Sequence, residues 1–478
     1  MFLRLLAVVH VVAFASFWVQ LDGLIGPDGL LPASPYLDAV KRHLGAAAWI
    51  QLPTLCWIFG AETFLHVLCA SGVLLAVLVF AGVAPGPCLL LLWAAYLSLN
   101  GAGQIFFNFQ WDALLLETTL LAVFLAPWRL RPGLRPHEPP PVARFLLWWL
   151  LFRLMFFAGV VKLASGDPLW RSLTALGVHF ETQPLPTIAG WYAHQLPAWL
   201  LKGACAGMFA IELFVPFFLF GPRSLRHNAA LLLTGFMLAV ALTGNYTFFN
   251  LLAIALCCLC FDDAWWRAVL PAGLARRIGA PPDPAKPRSV LRRIPGLIAT
   301  GCVFGYTFVQ SLPVLVPGVG VPPVQRALAV WVGPLRSFNN YGLFAVMTNP
   351  RPELIFEGSN DRREWLAYEF PHKPGALARA PSWVAPHQPR LDWQLWFAAL
   401  GPPTQNRWVL TLCEQLLLGT PAVLGLVDHN PFPGEPPRYI RVVRYEYRFT
   451  DLETRSRTGG WWRRTPTDFH IHPGSLTR

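Results

Sequence analysis

Arg153-Leu-Met-Phe-Phe-Ala-Gly-Val-Val-Lys162-Leu-Ala-Ser-Gly-Asp167-Pro-Leu-Trp170, followed shortly by His179-Phe-Glu181-Thr-Gln183-Pro184, is an apolar run that holds two cations and opens into a polar loop. The apolar part reads as a membrane-spanning helix. Cations inside such a helix are costly, and they mark a functional site or an ion pair that holds a bundle together. Arg153 and Lys162 are nine residues apart, so at ~100° per residue they point to opposite faces. A single pocket is not expected to use both.

The composition agrees with a membrane chain. Hydrophobic residues make up 54% of the 478 positions and charged residues 13%, against about 25% charged in a soluble domain. A net charge of +12 would point to nucleic acid in a soluble protein. Here the cations can be assigned to one side of a bilayer, so no nucleic-acid partner is expected.

About nine spans can be read: Phe2–Gln20, Pro53–Phe80, Cys88–Leu99, Ala113–Pro127, Phe145–Leu163, Trp199–Phe220, Ala229–Thr243, Phe248–Phe261 and Ile294–Val316. Several fall short of the ~20 residues that a helix needs to cross. The segment Phe2 to Val19 lacks a convincing cleavage site and counts as the first span rather than a signal peptide. With a cytoplasmic N-terminus, the inner segments carry Arg4, Arg129, Arg131, Arg135, Arg144, Arg223, Arg226, Arg267, Arg276, Arg277, Lys286, Arg288, Arg292 and Arg293. The outer loops carry Lys41, Arg42 and Arg171. That asymmetry places the chain after the ninth span on the export side.

The expected architecture is therefore a polytopic α-helical membrane bundle over residues 1–316, followed by a small α+β exported domain over 317–478. In the second part, Glu353–Ser359 and Glu364–Phe370 flank a polar turn and read as a β-hairpin. Arg438–Thr450 alternates like a strand, while Leu391–Leu400 and Trp408–Leu418 have helical length and spacing. His470-Ile-His472 reads as a solvated tail. Of the aromatic candidates for an exposed contact surface, Trp365, Trp383, Trp393, Trp396, Trp461 and Trp462, the last two are the best.

Depth separates the membrane charges. At about 1.5 Å per residue, Arg153 lies ~13 Å from the inner boundary near Arg144, and Glu212 lies ~12 Å from its own inner end near Phe220. Matching depths predict a structural Arg153–Glu212 pair, with Glu62 as the competing partner for Arg153. Lys162 either snorkels to the interface or faces a polar pocket formed with Asp112, Glu117, Asp167, Trp170, His179, Glu181 and Gln183. Asn108 and Gln110 belong to a second amide-rich knot, Asn100–Thr119, which supports that pocket or simply caps two helix ends. No phosphate-cradling loop, nucleophile elbow or zinc-protease motif is present. No metal and no cofactor are expected: Cys257-Cys258-x-Cys260 sits in an apolar helix without histidine or carboxylate at ligand spacing. Of the nine cysteines, only Cys413 falls in the outer region, which excludes an internal disulfide there.

Several motifs resemble the lipase maturation factor family. They are Asn108-Phe-Gln-Trp-Asp112 with Leu-Leu-Leu-Glu117-Thr118, Leu151-Phe-Arg-Leu-Met with Lys162 and Ser165-Gly-Asp-Pro168 through Pro186, and Gly244-Asn245-Tyr. The outer region adds Asn340-Tyr-Gly-Leu-Phe, Val384-Ala-Pro-His-Gln-Pro-Arg-Leu-Asp-Trp-Gln394 and Asn430-Pro-Phe-Pro433. The resemblance implies a multi-pass, non-enzymatic membrane chaperone that helps an exported lipase or another secreted client protein to mature, with the lipid bilayer as its other partner. It implies the endoplasmic reticulum membrane; the Ala/Arg/Pro/Gly-rich composition instead favours a bacterial inner membrane. The run Ala158-Gly-Val-Val-Lys162-Leu also resembles the membrane region of vitamin K-dependent carboxylases. That likeness implies a quinone-linked enzyme with Lys162 as base and His179 and Glu181 as assistants.

Overall fold

The computed structural model describes residues 1–130, 138–275, 290–316 and 318–476. Arg131, Arg135, Arg276, Arg277, Lys286, Arg288 and the expected boundary at Pro317 lie outside the described residues, as do the side chains of Arg292 and Arg293.

The first part of the chain is helical. Its main helices are α1 (Phe2–Trp18), α2 (Glu62–Ala81), α3 (Pro85–Ala102), α4 (Gln110–Leu125), α5 (Pro141–Ala164), α6 (Leu176–Thr182), α7 (Ala198–Phe214), α8 (Arg223–Thr243), α9 (Phe249–Cys258) and α10 (Val290–Leu315). Proline in the first turn starts α3 and α5, where a missing N–H costs nothing. Gly82, at φ 80°, ends α2 in the left-handed conformation that glycine adopts without a Cβ penalty.

Each of the nine expected segments contains a helix, but nine full crossings are not found. Among the described residues, five helices are long and apolar enough to span: Glu62–Ala81, Pro141–Ala164, Ala198–Phe220, Arg223–Thr243 and Ile294–Leu315. A sixth is possible if the pair Phe249–Cys258 and Asp263–Val269, bent by 111°, counts as one. The shortfall is one of length and polarity. Helix α1 has 17 residues and α4 has 16, and α3 ends in the polar run Ser98–Asn100. The chain is a multi-pass membrane protein with fewer clear spans than its hydropathy suggests.

Helix α1 packs on α2, α2 on α3, α3 on α4 and α4 on α5, while α9 returns to α1. The centre falls on α3 and α4, where Leu89, Leu92, Leu114, Leu115 and Leu116 are fully buried. Burial in α4 carries Asp112 and Glu117 inward with the leucines. Lipid tails are as apolar as leucine, so packing and polar pairs hold membrane helices together rather than the hydrophobic effect.

The C-terminal region is a four-stranded antiparallel sheet in the order β2-β1-β3-β4, covered by α11 (Arg390–Ala399) and α12 (Trp408–Leu418). Strand β1 (Arg351–Ser359) forms the expected hairpin with β2 (Leu366–Ala367), pairing Gly358 with Leu366. It also pairs with β3 (Tyr439–Phe449) over its whole length. Strand β4 (Trp462–Gly474) corrects the expected solvated tail: His470 is on a strand and buried. Pro466 and Pro473 are tolerated in it because β4 is an edge strand with register shifts against β3.

One hydrophobic core runs through both regions, from Phe14 and Phe107 to Leu354 and Trp393. Trp111 stands edge-on to Trp393 at 4.7 Å between ring centroids. Trp461 and Trp462, expected to be exposed, are buried against Trp191, Tyr447 and Phe449. Trp383 is exposed instead, at 58%.

Candidate functional site

Helix α5 sets the geometry. Arg153 and Lys162 leave opposite faces, and each meets a different buried carboxylate. Lys162 Nζ donates to Glu212 Oε1 and Oε2 at 2.9 and 2.8 Å and to the Ala158 carbonyl at 3.1 Å. It also stands 5.5 Å from the Trp170 ring centroid, within cation–π range. Gly159 permits this pairing: a Cβ there would come within 3.1 Å of Glu212 Cβ and 2.9 Å of Leu213 Cδ2, so α5 and α7 approach closely.

The expected Arg153–Glu212 pair is therefore corrected. Arg153 Nη2 pairs with Glu117 on α4, and Nη1 donates to the Asn339 carbonyl at 2.8 Å. Glu117 Oε2 also accepts from the Tyr341 hydroxyl at 2.7 Å and from Asn339 N at 3.1 Å. Depth and facing both decide against Glu212: it packs on Gly159, six residues or ~9 Å along α5 from Arg153, and lies on the Lys162 side.

The remaining candidates divide the same way. Asp112 is held by a two-pronged contact from Arg390 on α11, at 3.0 and 3.1 Å, with the Tyr96 hydroxyl donating to the same carboxylate. Asp167 caps a short helical turn through Leu169 N at 2.8 Å and accepts from Met347 N at 2.6 Å. Glu181 accepts from Arg448 Nη1 at 3.1 Å and from Phe449 N at 2.6 Å. Arg351, at the start of β1, donates to the carbonyls of Glu181 and Pro184, both at 2.8 Å, and is ion-paired to Glu353. These groups fasten the C-terminal region to the bundle, and none of them lines the cavity beside Lys162.

Lys162, Trp170, His179 and Gln110 do share a cavity, with Glu212 and Tyr246. It measures about 390 Å³ and lies among α5, α6, α7 and α8, with Gly342–Phe344 passing along it. Gly342 is needed there, since a Cβ would fall 2.6 Å from Val161 Cγ1. Gln183 stands beside the cavity and orders its polar end. The Tyr246 hydroxyl donates to Gln183 Oε1 at 2.8 Å, so its oxygen accepts from His179 Nε2 at 2.9 Å. That fixes the proton of neutral His179 on Nε2 and leaves Nδ1 as an acceptor without a partner. Burial, reinforced by the Lys162 ammonium, pushes the His179 imidazole down to about 4. Asn108 is exposed and belongs to neither group.

The arrangement brings Lys162 and His179 to one cavity but leaves Glu181 out of it. Lys162 is held by Glu212, and Glu181 faces Arg448 instead of His179. Sequence reasoning missed the anchors Arg351, Arg390 and Arg448, although a buried carboxylate on α4 already implied a cation to meet it. It also missed Tyr246, which lies within one of the family-like motifs quoted above.

Comparison with known proteins adds a family. A model described as lipase maturation factor transmembrane domain matches residues 1–268, and one described as lipase maturation factor C-terminal domain matches residues 337–471. Lipase maturation factor 2 of Homo sapiens is 37% identical over 587 residues, covering 97% of this chain and 80% of the relative. Lipase maturation factor 1 of Mus musculus is 36% identical over 490 residues, covering 96% of this chain and 84% of the relative. No solved structure gives a significant match.

Proposed function

This chain belongs to the lipase maturation factor family, and from that premise we propose that it is a non-enzymatic membrane chaperone assisting the maturation of exported lipases or related secreted proteins. The observation that carries the reading is the fusion of its two regions. Arg390, Arg351 and Arg448 reach from the C-terminal region into carboxylates and carbonyls of the bundle. A sheet held this firmly presents a client with a rigid platform at the membrane surface. Under this reading the chain has a cytoplasmic N-terminus and its C-terminal region lies in the periplasm or the lumen of the endoplasmic reticulum. Lys162 is then a wall residue of the cavity, with no catalytic role.

The test is a complementation. Cells lacking the chain should secrete an exported lipase in normal amount but with low specific activity, and the full-length chain should restore it. Unchanged specific activity in its absence would sink the proposal. Truncation before Asn339 is a poor test, because it takes Arg390 from Asp112 and the Asn339 and Tyr341 contacts from the Arg153–Glu117 pair. For the orientation, Asp361→Cys on the exposed hairpin turn should react with an impermeant maleimide added from the export side only.

A further inference from the structure

The cavity beside Lys162 opens between helices of the bundle. Ala204 and Gly207 on α7 and Ala239 on α8 line it and are exposed, so its mouth lies between two membrane-spanning helices. The phase that adjoins the mouth is the bilayer. Leu154 and Met155 line the far end, and Leu154 is eight residues before Lys162, about 12 Å along the helix. The polar groups gather at the opposite end, around Lys162, Glu212, His179 and Tyr246.

Size and charge narrow the occupant. At about 390 Å³ the cavity falls in the ~300–1,000 Å³ range of small-molecule pockets. Its lining is apolar apart from the groups at one end, which suits a slender hydrocarbon chain. The Lys162 ammonium and Glu212 carboxylate cancel, and His179 is neutral near pH 7. The polar end thus carries no net charge but offers hydrogen-bonding groups.

We propose that this cavity binds one acyl chain of a neutral glyceride drawn from the bilayer, with its hydroxyl or ester end at the Lys162–His179 side. The inference is independent of the chaperone reading. Anionic lipids are disfavoured, because the one ammonium at the polar end is already matched by a carboxylate.

The test uses the full-length protein in nanodiscs and a monoacylglycerol carrying a diazirine near the end of its acyl chain. Cross-links should map to cavity-wall residues such as Met155, Met208 and Phe236. Excess unlabelled monoacylglycerol should compete, whereas lysophosphatidylglycerol and palmitate should not. In Gly207→Leu the new side chain enters open space, since nothing lies within 4 Å of a Cβ built there. Labelling should then fall roughly ten-fold, the loss expected when about two methylenes lose their burial, with an unchanged gel-filtration profile. Glu212→Gln leaves the Lys162 ammonium unmatched and should turn the preference toward palmitate. The proposal fails if the wall is labelled no more than the lipid-facing surface of α2. It also fails if folded Gly207→Leu retains full labelling, or if the anionic probes compete as well as the neutral one.

Discussion

The two buried ion pairs on α5 are chemically alike and structurally opposite. Arg153 and Glu117 sit where the chain from Asn339 to Tyr341 folds over the bundle, and their remaining hydrogen-bonding capacity goes to that chain. Lys162 and Glu212, about two and a half turns further along α5 and on its opposite face, border the cavity. The first pair joins two regions of the molecule. The second shapes the wall of a cavity. A buried charge in a membrane helix therefore has no single meaning, and what surrounds the pair decides between lock and lining.

The strongest way to break this comparison is to remove one partner from each pair. Arg153→Met leaves Glu117 charged in a closed, packed site, a situation that typically costs about 3–5 kcal/mol. Thermal melting in detergent and resistance to protease should both collapse. The double variant Arg153→Met/Glu117→Leu should recover part of the loss, because it leaves no orphan charge. Lys162→Met leaves Glu212 on a cavity wall, where water or a lipid head can relax around it, and the expected loss is about 1–3 kcal/mol. If Lys162→Met proved as damaging as Arg153→Met, the distinction between lock and lining would be wrong.

Acidification probes the docking surface from the other direction. His387 Nδ1 stands 2.9 Å from the hydroxyl of Ser16 on α1, and burial, with help from His372 and Arg390, pushes its imidazole down to about 4. A depressed folded value means stability that is present above the ordinary 6.5 and is lost as pH falls toward 4. His470 acts in the same sense, also pushed down to about 4, mainly by burial. Asp392 opposes them: burial raises its carboxyl to about 6, so it stabilises the acid form and that contribution is lost as pH rises through 6. The melting temperature should fall between pH 7 and pH 5, and His387→Gln should flatten the fall. A melting curve independent of pH over that window would show that the contact between α1 and the segment around His387 carries little of the stability.

Much of this was legible in the sequence. Hydropathy located every long helix, the 100° phase separated Arg153 from Lys162, and the hairpin, the β3 strand and both C-terminal helices follow from local pattern. What failed was long-range. Counting residues from the inner boundary put Glu212 level with Arg153, but the packing of α7 on α5 sets it beside Gly159 and Lys162, and the packing of α4 brings Glu117 to Arg153 instead. Trp461 and Trp462 sit between glycines and arginines, which reads as surface, yet Arg455 covers the Trp461 ring at 3.8 Å and the pair lies buried beneath. Strand β4 was hidden by Pro466 and Pro473, since edge placement is a property of the finished sheet. Polar residues clustered in sequence looked like one site; in space most of them are rivets along an interface.

Asn108 is where the smallest effect is expected and where the comparison can be sharpened most. It belongs to the conspicuous run Asn108–Asp112, but it is exposed, touches neither ion pair and does not line the cavity. If the value of that run lies in anchoring through Asp112 and lining through Gln110, then Asn108→Ala should be silent. Its stability should stay within about 0.5 kcal/mol, as for an ordinary surface change. Client lipase activity should also match that of the unaltered chain. A folded Asn108→Ala protein that fails to mature its client would reveal a third role that neither lock nor lining covers. The run would then be a contact surface, reading outward from the membrane as well as inward.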